Sequence, residues 1–256
     1  MKHPIALITG ATAGIGEALA TKMAEAGYAL ILTGRRSDRL NAYVTKLQDR
    51  FKVQVMGLTF DVRKVEAVNA AIDSLPEEWK DIEVLINNAG LAAGLGPVHE
   101  GSTEDWDRMI DTNIKGVLYM LRAVSPGMIA RKKGHIINIS SIASREVYPM
   151  GNVYCASKHA LDVITRSMRM ELVNEPIKIS SVHPGMVQTE FSLVRFNGDE
   201  SRADAVYKDY EPLMAEDVAN TVLYCLQQPP HVNIHELIVM PSSQAAVRLM
   251  RKKDSE

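Results

Sequence analysis

The sequence predicts an α/β fold, a single doubly wound parallel sheet of about seven strands with helices on both faces. Three observations carry this. Short aliphatic or β-branched runs recur along the chain, longer helical segments separate them, and no Ser/Gly-rich linker, charge block or internal repeat divides the 256 residues. Strands buried on both faces read as near-continuous apolar runs, and strand, helix, strand in alternation closes as a parallel sheet with covered faces. One domain is therefore expected.

The strands are expected at Ile5–Ile8, Ala29–Leu32, Val53–Met56, Val84–Ile86, His135–Ile139, Ile177–Val182 and Leu237–Met240. Crossover helices fall between them at Gly16–Ala26, Asp38–Lys52 and Val65–Leu75. Ser102, with Asp105 three residues on, is a helix-start signal, because the hydroxyl satisfies an orphan amide. Helices at 103–111 and 113–132 follow. Another runs from Asn152 to Asn174 and stops near Pro176, which has no N–H to continue it. The stretch 185–213 is long, mixed and poor in strand signal. A connection of that length in a compact domain is a lid or an insertion, and a substrate lid is the reading taken here.

Composition narrows the function. Lys and Arg total 29 against 31 Asp and Glu, a formal charge of -2, with 46% hydrophobic and 23% charged residues. That balance supplies a core and lacks the clustered basic excess that a nucleic-acid partner demands. The one basic run, Arg248 to Lys253, reads as a solvated tail. Cys155 and Cys225 make neither a disulfide framework nor a zinc spacing, so no metal is expected and a reducing compartment is favoured. Met1-Lys2-His3-Pro4 leads into an apolar stretch that Gly10 interrupts, which is not a signal peptide. No run approaches the roughly 18 apolar residues of a membrane span. The expectation is a soluble, cytoplasmic protein.

Thr9-Gly10-Ala11-Thr12-Ala13-Gly14-Ile15-Gly16 comes directly after the first strand and opens the first helix. Its glycines let backbone amides at the helix N-terminus approach a pyrophosphate, with Thr12, Ala13 and Ile15 in the same turn. The spacing is GxxxGxG, a variant of the dinucleotide fingerprint, and makes the sheet Rossmann-type. At the end of the second strand stands Thr33-Gly34-Arg35-Arg36, where an acid would accept ribose hydroxyls. Two guanidiniums suit a 2′-phosphate instead, and at a helix start they oppose the macrodipole unless an anion joins them. NADP(H) is expected rather than NAD.

Tyr154 and Lys158 are four apart on one predicted helix, so both project from one face. A phenol is a poor acid–base group at neutral pH unless a cation stabilises its phenolate, and Lys158 is placed to do so. Ser141 follows the fifth strand, at the carboxyl edge where ligands of open α/β sheets bind.

Together, Thr9 to Gly16, Asn87-Asn88-Ala89-Gly90, Asn113, Ser141, Tyr154-xxx-Lys158 and Pro184-Gly185 resemble the classical short-chain dehydrogenase/reductase family over essentially the whole chain. The resemblance implies that Tyr154 is the general acid in carbonyl reduction and the base in alcohol oxidation. It implies that Lys158 lowers the Tyr154 pKa and holds the nicotinamide ribose, that Ser141 binds the substrate oxygen, and that Asn113 anchors a proton-relaying water. It places Asp61 and Val62 at the adenine, Asn88 and Gly90 along the cofactor, and Gly185, Val187 and Thr189 around the carboxamide. It further implies a homotetramer built on the helices at 113–132 and 152–174.

Within the family the chain is similar to the NADP-dependent 3-hydroxy acid dehydrogenases and the sulfoacetaldehyde reductases, at 109–113, 151–154, 189–196, 231–234 and 240–241. That similarity implies a short anionic substrate, such as serine, 3-hydroxypropionate or an isethionate-like sulfonate, or the matching aldehyde or keto compound. An anion needs a cation in the pocket. Arg195, in the expected lid, is the candidate, with a lid-surface or subunit-contact role as the alternative. Tyr148 either shapes the pocket or packs, and Gln244 is a further candidate. The chain departs from the subgroup at Arg145-Glu146-Val147, where small residues followed by Trp-Pro are expected, which makes Arg145 a second candidate for the anion-binding cation. Met168, Met170 and Met186 read as core or pocket wall, and no histidine is assigned a role. Two other functions remain open: a general carbonyl reductase for neutral ketones and aldehydes, and an NADP(H) sensor without turnover, against which the complete Asn113, Ser141, Tyr154 and Lys158 set argues.

Overall fold

Strand alternation decides which side chains meet which layer. In β1 (Ile5–Ile8), Ala6 and Ile8 pack on one face of the sheet while Ile5 and Leu7 pack on the other. The structure, a computed structural model, describes residues 3–252; the readings made for Met1-Lys2 and for Lys253 lie outside them. All seven expected strands are present: β1, β2 (Ala29–Gly34), β3 (Val55–Thr59), β4 (Ile82–Asn87), β5 (Gly134–Ile139), β6 (Ile177–Pro184) and β7 (Glu236–Val239). They form one parallel sheet in the order β3-β2-β1-β4-β5-β6-β7.

The helices follow in chain order as α1 (Gly14–Glu25), α2 (Ser37–Phe51), α3 (Val65–Asp73), α4 (Thr103–Ile110), α5 (Gly116–Arg131), α6 (Asn152–Glu171), α7 (Phe191–Arg195), α8 (Glu200–Ala205) and α9 (Ala215–Leu226). Leu19 and Met23 of α1, Leu40 of α2 and Val218 and Val222 of α9 cover one face. Val68 of α3, Met120 and Leu121 of α5 and Leu161 of α6 cover the other. The sheet is thus doubly wound, as expected. Strand order reverses between β1 and β4, which leaves a crevice at their carboxyl ends, where this architecture binds ligands.

The Ser102 hydroxyl accepts from the Asp105 amide at 3.3 Å and caps α4, as its spacing implies. The two helices expected at 103–111 and 113–132 instead form one rod: a wide π-helical turn at Asp111–Lys115 joins α4 to α5 and carries Asn113 into the interior. Such a turn re-aims one side chain without breaking the helix, and no residue type announces it. Helix α6 ends at Glu171, three residues short of the expected Asn174, and the chain passes through tighter turns, Val173 N–H donating to the Met170 carbonyl and Glu175 N–H to the Leu172 carbonyl, before Pro176.

The stretch 185–213 contains α7 and α8 and has its ends tied together, Gln188 N–H donating to the Leu213 carbonyl at 2.9 Å and Leu213 N–H to the Met186 carbonyl at 2.9 Å. The expected solvated tail is partly wrong. Residues Gln244–Ala246 (β8) pair antiparallel with Leu249–Met250 (β9), and Arg248 reaches the Pro149 carbonyl at 3.5 Å. The backbone of Val247 finds an acceptor in the Glu146 carboxylate at 2.8 Å, which seats the hairpin. Met168 packs on the second face as read, whereas Met170 lies 69% exposed on the outer side of α6. Among the described residues no helix is long and apolar enough to cross a membrane.

Helix α6 is pinned to the sheet by a buried polar chain. The Asn87 side-chain amide donates to Asn138 Oδ1 at 2.9 Å, and Asn138 Nδ2 donates to Thr165 Oγ1 at 2.8 Å. Asn138→Ala strips the acceptor from a buried amide and should cost about 2–4 kcal/mol. The measurement is urea unfolding, with a lower midpoint at unchanged slope expected.

Candidate active site

The crevice at the strand ends opens into a cavity of about 370 Å³. It collects Gly10, Thr12, Ala13, Gly14, Ile15, Arg35, Arg36, Asp61, Val62, Asn88, Gly90, Ser141, Tyr154, Lys158, Gly185, Val187 and Thr189. Of the residues singled out for cofactor or catalysis, only Gly16 and Asn113 are not on its wall, and both stand directly behind it. Thr33, Phe60, Thr112, Glu190, Phe191 and Val194, for which the sequence suggests no role of their own, also line it.

The glycine-rich turn has a steric explanation. Gly10 and Gly14 adopt φ of +66° and +52°, values that side chains disfavour. A Cβ at Gly16 would lie 2.1 Å from the Gly10 carbonyl oxygen and 2.6 Å from Asn88 Nδ2, so α1 begins where only glycine fits. Asn88 holds this turn in place, its amide donating to the carbonyls of Thr9 at 2.9 Å and Gly10 at 3.2 Å. In return the Thr9 hydroxyl accepts from the backbone of Asn88 at 3.0 Å and Ala89 at 2.9 Å. The two motifs are therefore one unit.

At the rim beyond β2, Arg36 donates to the Thr12 hydroxyl at 3.3 Å and to its carbonyl at 3.4 Å. Across the mouth stands Glu190, whose carboxylate accepts from Arg39 at 2.8 and 3.3 Å and lies 3.6 Å from Arg36. The Arg39 hydrogen bond, aided by the Arg36 charge, holds the Glu190 carboxyl below its ordinary range.

At the inner end Ser141 caps the short turn Ile142–Ser144, its oxygen accepting from Ala143 N–H at 3.1 Å. Tyr154 lies in the first turn of α6 and Lys158 one turn on, 8% and 5% exposed. The Lys158 ammonium donates to the Ile139 carbonyl at 3.0 Å. Asn113 exchanges hydrogen bonds with the Leu91 backbone at 2.8 and 2.9 Å and donates to Ser157 at 3.0 Å. Gly90 fills the gap between Asn113 and Lys158, since a Cβ there would lie 3.3 Å from Asn113 Oδ1 and 3.5 Å from Lys158 Nζ.

Burial dominates the electrostatics. It pushes the Tyr154 phenol above its ordinary range, opposed by hydrogen bonding to Ser141 and by the charge of Arg195. It draws Lys158 down to about 8. The cation over the phenol ring is Arg195, with its guanidinium carbon 5.6 Å from the Tyr154 centroid, while the ammonium of Lys158 is given to a backbone carbonyl. The sequence points to Lys158 as the cation near the phenol and gives Arg195 no part in it.

Arg195 closes α7 and meets two further residues: the Tyr148 hydroxyl accepts from it at 2.6 Å and the Gly94 carbonyl at 3.3 Å, and the Tyr148 ring centroid lies 5.6 Å from its guanidinium carbon. Tyr148 is thus its platform. Gln244 spends its acceptor oxygen on the Met186 N–H at 2.8 Å and so secures the start of the 185–213 segment from below. Arg145 is not available to an anion: both its terminal nitrogens are bound to Asp162 at 2.9 Å, and one of them also to Glu236.

The family model for short chain dehydrogenases matches residues 4–198, and the chain belongs to that family. It is an oxidoreductase. The chain is 45% identical to the NADP-dependent 3-hydroxy acid dehydrogenase YdfG of Salmonella typhimurium over 94% of its own length and 96% of that protein. It is also 45% identical to sulfoacetaldehyde reductase 2 of Chromohalobacter salexigens, over 94% of this chain and 95% of the other. Among solved structures, the closed form of serine dehydrogenase complexed with NADP+ superposes with a TM-score of 0.91 at 42% identity, covering 98% of this chain and 100% of that one. The family resemblance and the Rossmann-type sheet expected from the motifs are borne out.

A buried ammonium carries a testable cost. With Lys158 depressed from 10.5 to about 8, the unfolded chain binds the extra proton between those values, so stability rises with pH across that window. Lys158→Met should therefore be more stable than wild type at pH 7, by about 3 kcal/mol if the shift is fully expressed. The advantage should vanish towards pH 10.5. Denaturant titrations of both proteins across that range are the check.

Proposed function

We propose that this chain is an NADP(H)-dependent oxidoreductase that interconverts a short anionic 3-hydroxy acid, of the serine, 3-hydroxypropionate or isethionate type, with its aldehyde or keto partner. One observation carries the substrate class: the Arg195 guanidinium stands over the Tyr154 ring, so an anion paired with it has its neighbouring oxygen beside the phenol and Ser141. The relatives' names, which speak of 3-hydroxy acids, a sulfoacetaldehyde and serine, agree with that chemistry.

The cavity suits a phosphorylated dinucleotide. Thr12, Ala13, Gly14 and Ile15 line the cavity where α1 opens, and backbone amides at a helix N-terminus are a seat for a pyrophosphate. Arg35 and Arg36 would take the 2′-phosphate, Asp61 and Val62 the adenine, and Asn88, Gly90 and Lys158 the ribose beyond. Gly185, Val187 and Thr189 would surround the nicotinamide. The bound dinucleotide supplies or accepts hydride.

The chain's own residues manage the proton and the orientation. In reduction the Tyr154 hydroxyl gives its proton to the developing alkoxide, and in oxidation the phenolate takes it from the alcohol. Ser141 holds the same oxygen, Asn113 stations the proton relay near Lys158, and Phe191, edge-on to Tyr154 at 5.6 Å, keeps the phenol dry. Residues 185–213 act as the lid, since Glu190, Phe191 and Val194 line the cavity from it and Arg195 lies over the Tyr154 ring. Leu118 on α5 and Val163 and Met170 on α6 are exposed apolar residues on the helices where a homotetramer would join. A cytoplasmic setting suits Cys155 and Cys225, which are buried and free.

A carbonyl reductase for neutral substrates would not need Arg195 to bind its substrate, and a sensor would not use Tyr154. Tyr154→Phe should abolish NADPH consumption with malonic semialdehyde or sulfoacetaldehyde, and undiminished turnover would remove the phenol from the mechanism. Arg195→Ala should raise the KM for those anions about 10- to 100-fold, the worth of a charge-assisted contact, and leave a neutral aldehyde little changed. Arg36→Ala should weaken NADPH about 10-fold and NADH far less, as fluorescence titration will show.

A further inference from the structure

We propose that Arg145 is a positioning residue: by gripping Asp162 it fixes the turn that carries Ser141 against the helix that carries Tyr154 and Lys158, and so sets the gap in which the substrate oxygen sits. This rests on the reading of Ser141 and Tyr154 given above.

Asp162, His183 and Glu236 bring ligand-type atoms within 4.8 Å of one another, a spacing that elsewhere marks a cation site. The cation here belongs to the chain. Arg145 donates from Nη1 to Asp162 Oδ2 and from Nη2 to Asp162 Oδ1, each at 2.9 Å, and from Nη2 also to the Glu236 carboxylate. Arg166 reaches Asp162 Oδ2 at 2.6 Å. Two guanidiniums balance two carboxylates, so the cluster is electrostatically complete without a metal ion.

What the fork joins matters more than its charge. Asp162 is eight residues after Tyr154 and four after Lys158, on the buried side of α6, with its side chain 5% exposed. Arg145 directly follows the turn Ile142–Ser144 that Ser141 caps. Within that turn the Ser144 hydroxyl donates to the Ser141 carbonyl at 2.7 Å and meets His183 Nδ1 at 2.8 Å. Both contacts are satisfied together when His183 carries its proton on Nδ1, and Nε2 then accepts from the Ser181 hydroxyl at 2.8 Å. The turn is thus held on one side by β6 through His183 and on the other by α6 through Arg145. Glu236 ties the same guanidinium to β7. No bond of this set touches the cavity, yet each end of it is one short stretch of backbone from a hydroxyl that does.

The test is a kinetic double-mutant cycle on the full-length enzyme with NADPH and sulfoacetaldehyde. Arg145→Lys keeps the charge and gives up the planar fork; Asp162→Asn removes the other half of the clamp and serves if the first variant does not fold. Each is expected to lower kcat about 10- to 100-fold, the scale of a misplacement near 1 Å, with NADPH affinity and substrate KM little changed. In a Ser141→Ala background the same substitutions should have almost no further effect on kcat, because the group they position is gone. If the full loss recurs in that background, or if both clamp variants keep wild-type kcat, Arg145 is a stabiliser only and the proposal is overturned. A Ser141→Ala enzyme with wild-type kcat is a different failure, since it overturns the reading of Ser141 itself.

Discussion

Keeping an ammonium and a phenol together while both are buried is the constraint on which the rest of this molecule depends. Helix α6 delivers Tyr154 and Lys158 from one face, and the free carbonyl at the end of β5 receives the ammonium. Withdrawal from solvent moves both groups away from their ordinary proton affinities. Fixed dipoles and a guanidinium replace the lost water, which is how a preorganised site favours charge that appears only during reaction. Everything else serves to hold that arrangement: the Asn87, Asn138 and Thr165 chain under the helix, the double hydrogen bond of Asn113 to Leu91, and Gly90 closing the space between.

The sheet makes such a place available because its winding reverses beside β1. Helices leave β1 and β4 towards opposite faces, so the carboxyl ends part and the glycine turn bends over the opening. Residues 185–213 complete the enclosure, with Glu190 on the outside and Phe191 and Arg195 within. Glu190 meets Arg36 and Arg39 at the rim, while Phe191 and Arg195 meet Tyr154 inside.

Local physics was legible in the sequence. Buried strands announce themselves as apolar runs, so all seven were found to within a few residues, while the glycines, Ser141, Tyr154 and Lys158 were recognisable through the family resemblance their motifs carry together rather than through any one spacing. Partnerships across the fold were not legible. Arg145 reads as a free cation until Asp162, seventeen residues on, is seen to face it, and Glu190 pairs with arginines from the other end of the chain. The wide turn at Asn113 and the terminal hairpin were missed for a related reason. The first turns Asn113 towards Leu91 and Ser157, partners distant in sequence, and the second is seated by an acceptor on Glu146 rather than by any pattern of its own.

The hairpin has a consequence for how the protein acquires its shape. Gln244 supports the backbone at Met186, and the cavity wall begins at Gly10, so the pocket is complete only when segments from nearly opposite ends of the chain have met. Contacts so distant in sequence form late, after the loops between them have been closed at an entropic cost. A folding intermediate with most of its sheet in place would still lack a finished pocket, and ligand affinity should be among the last native properties to appear.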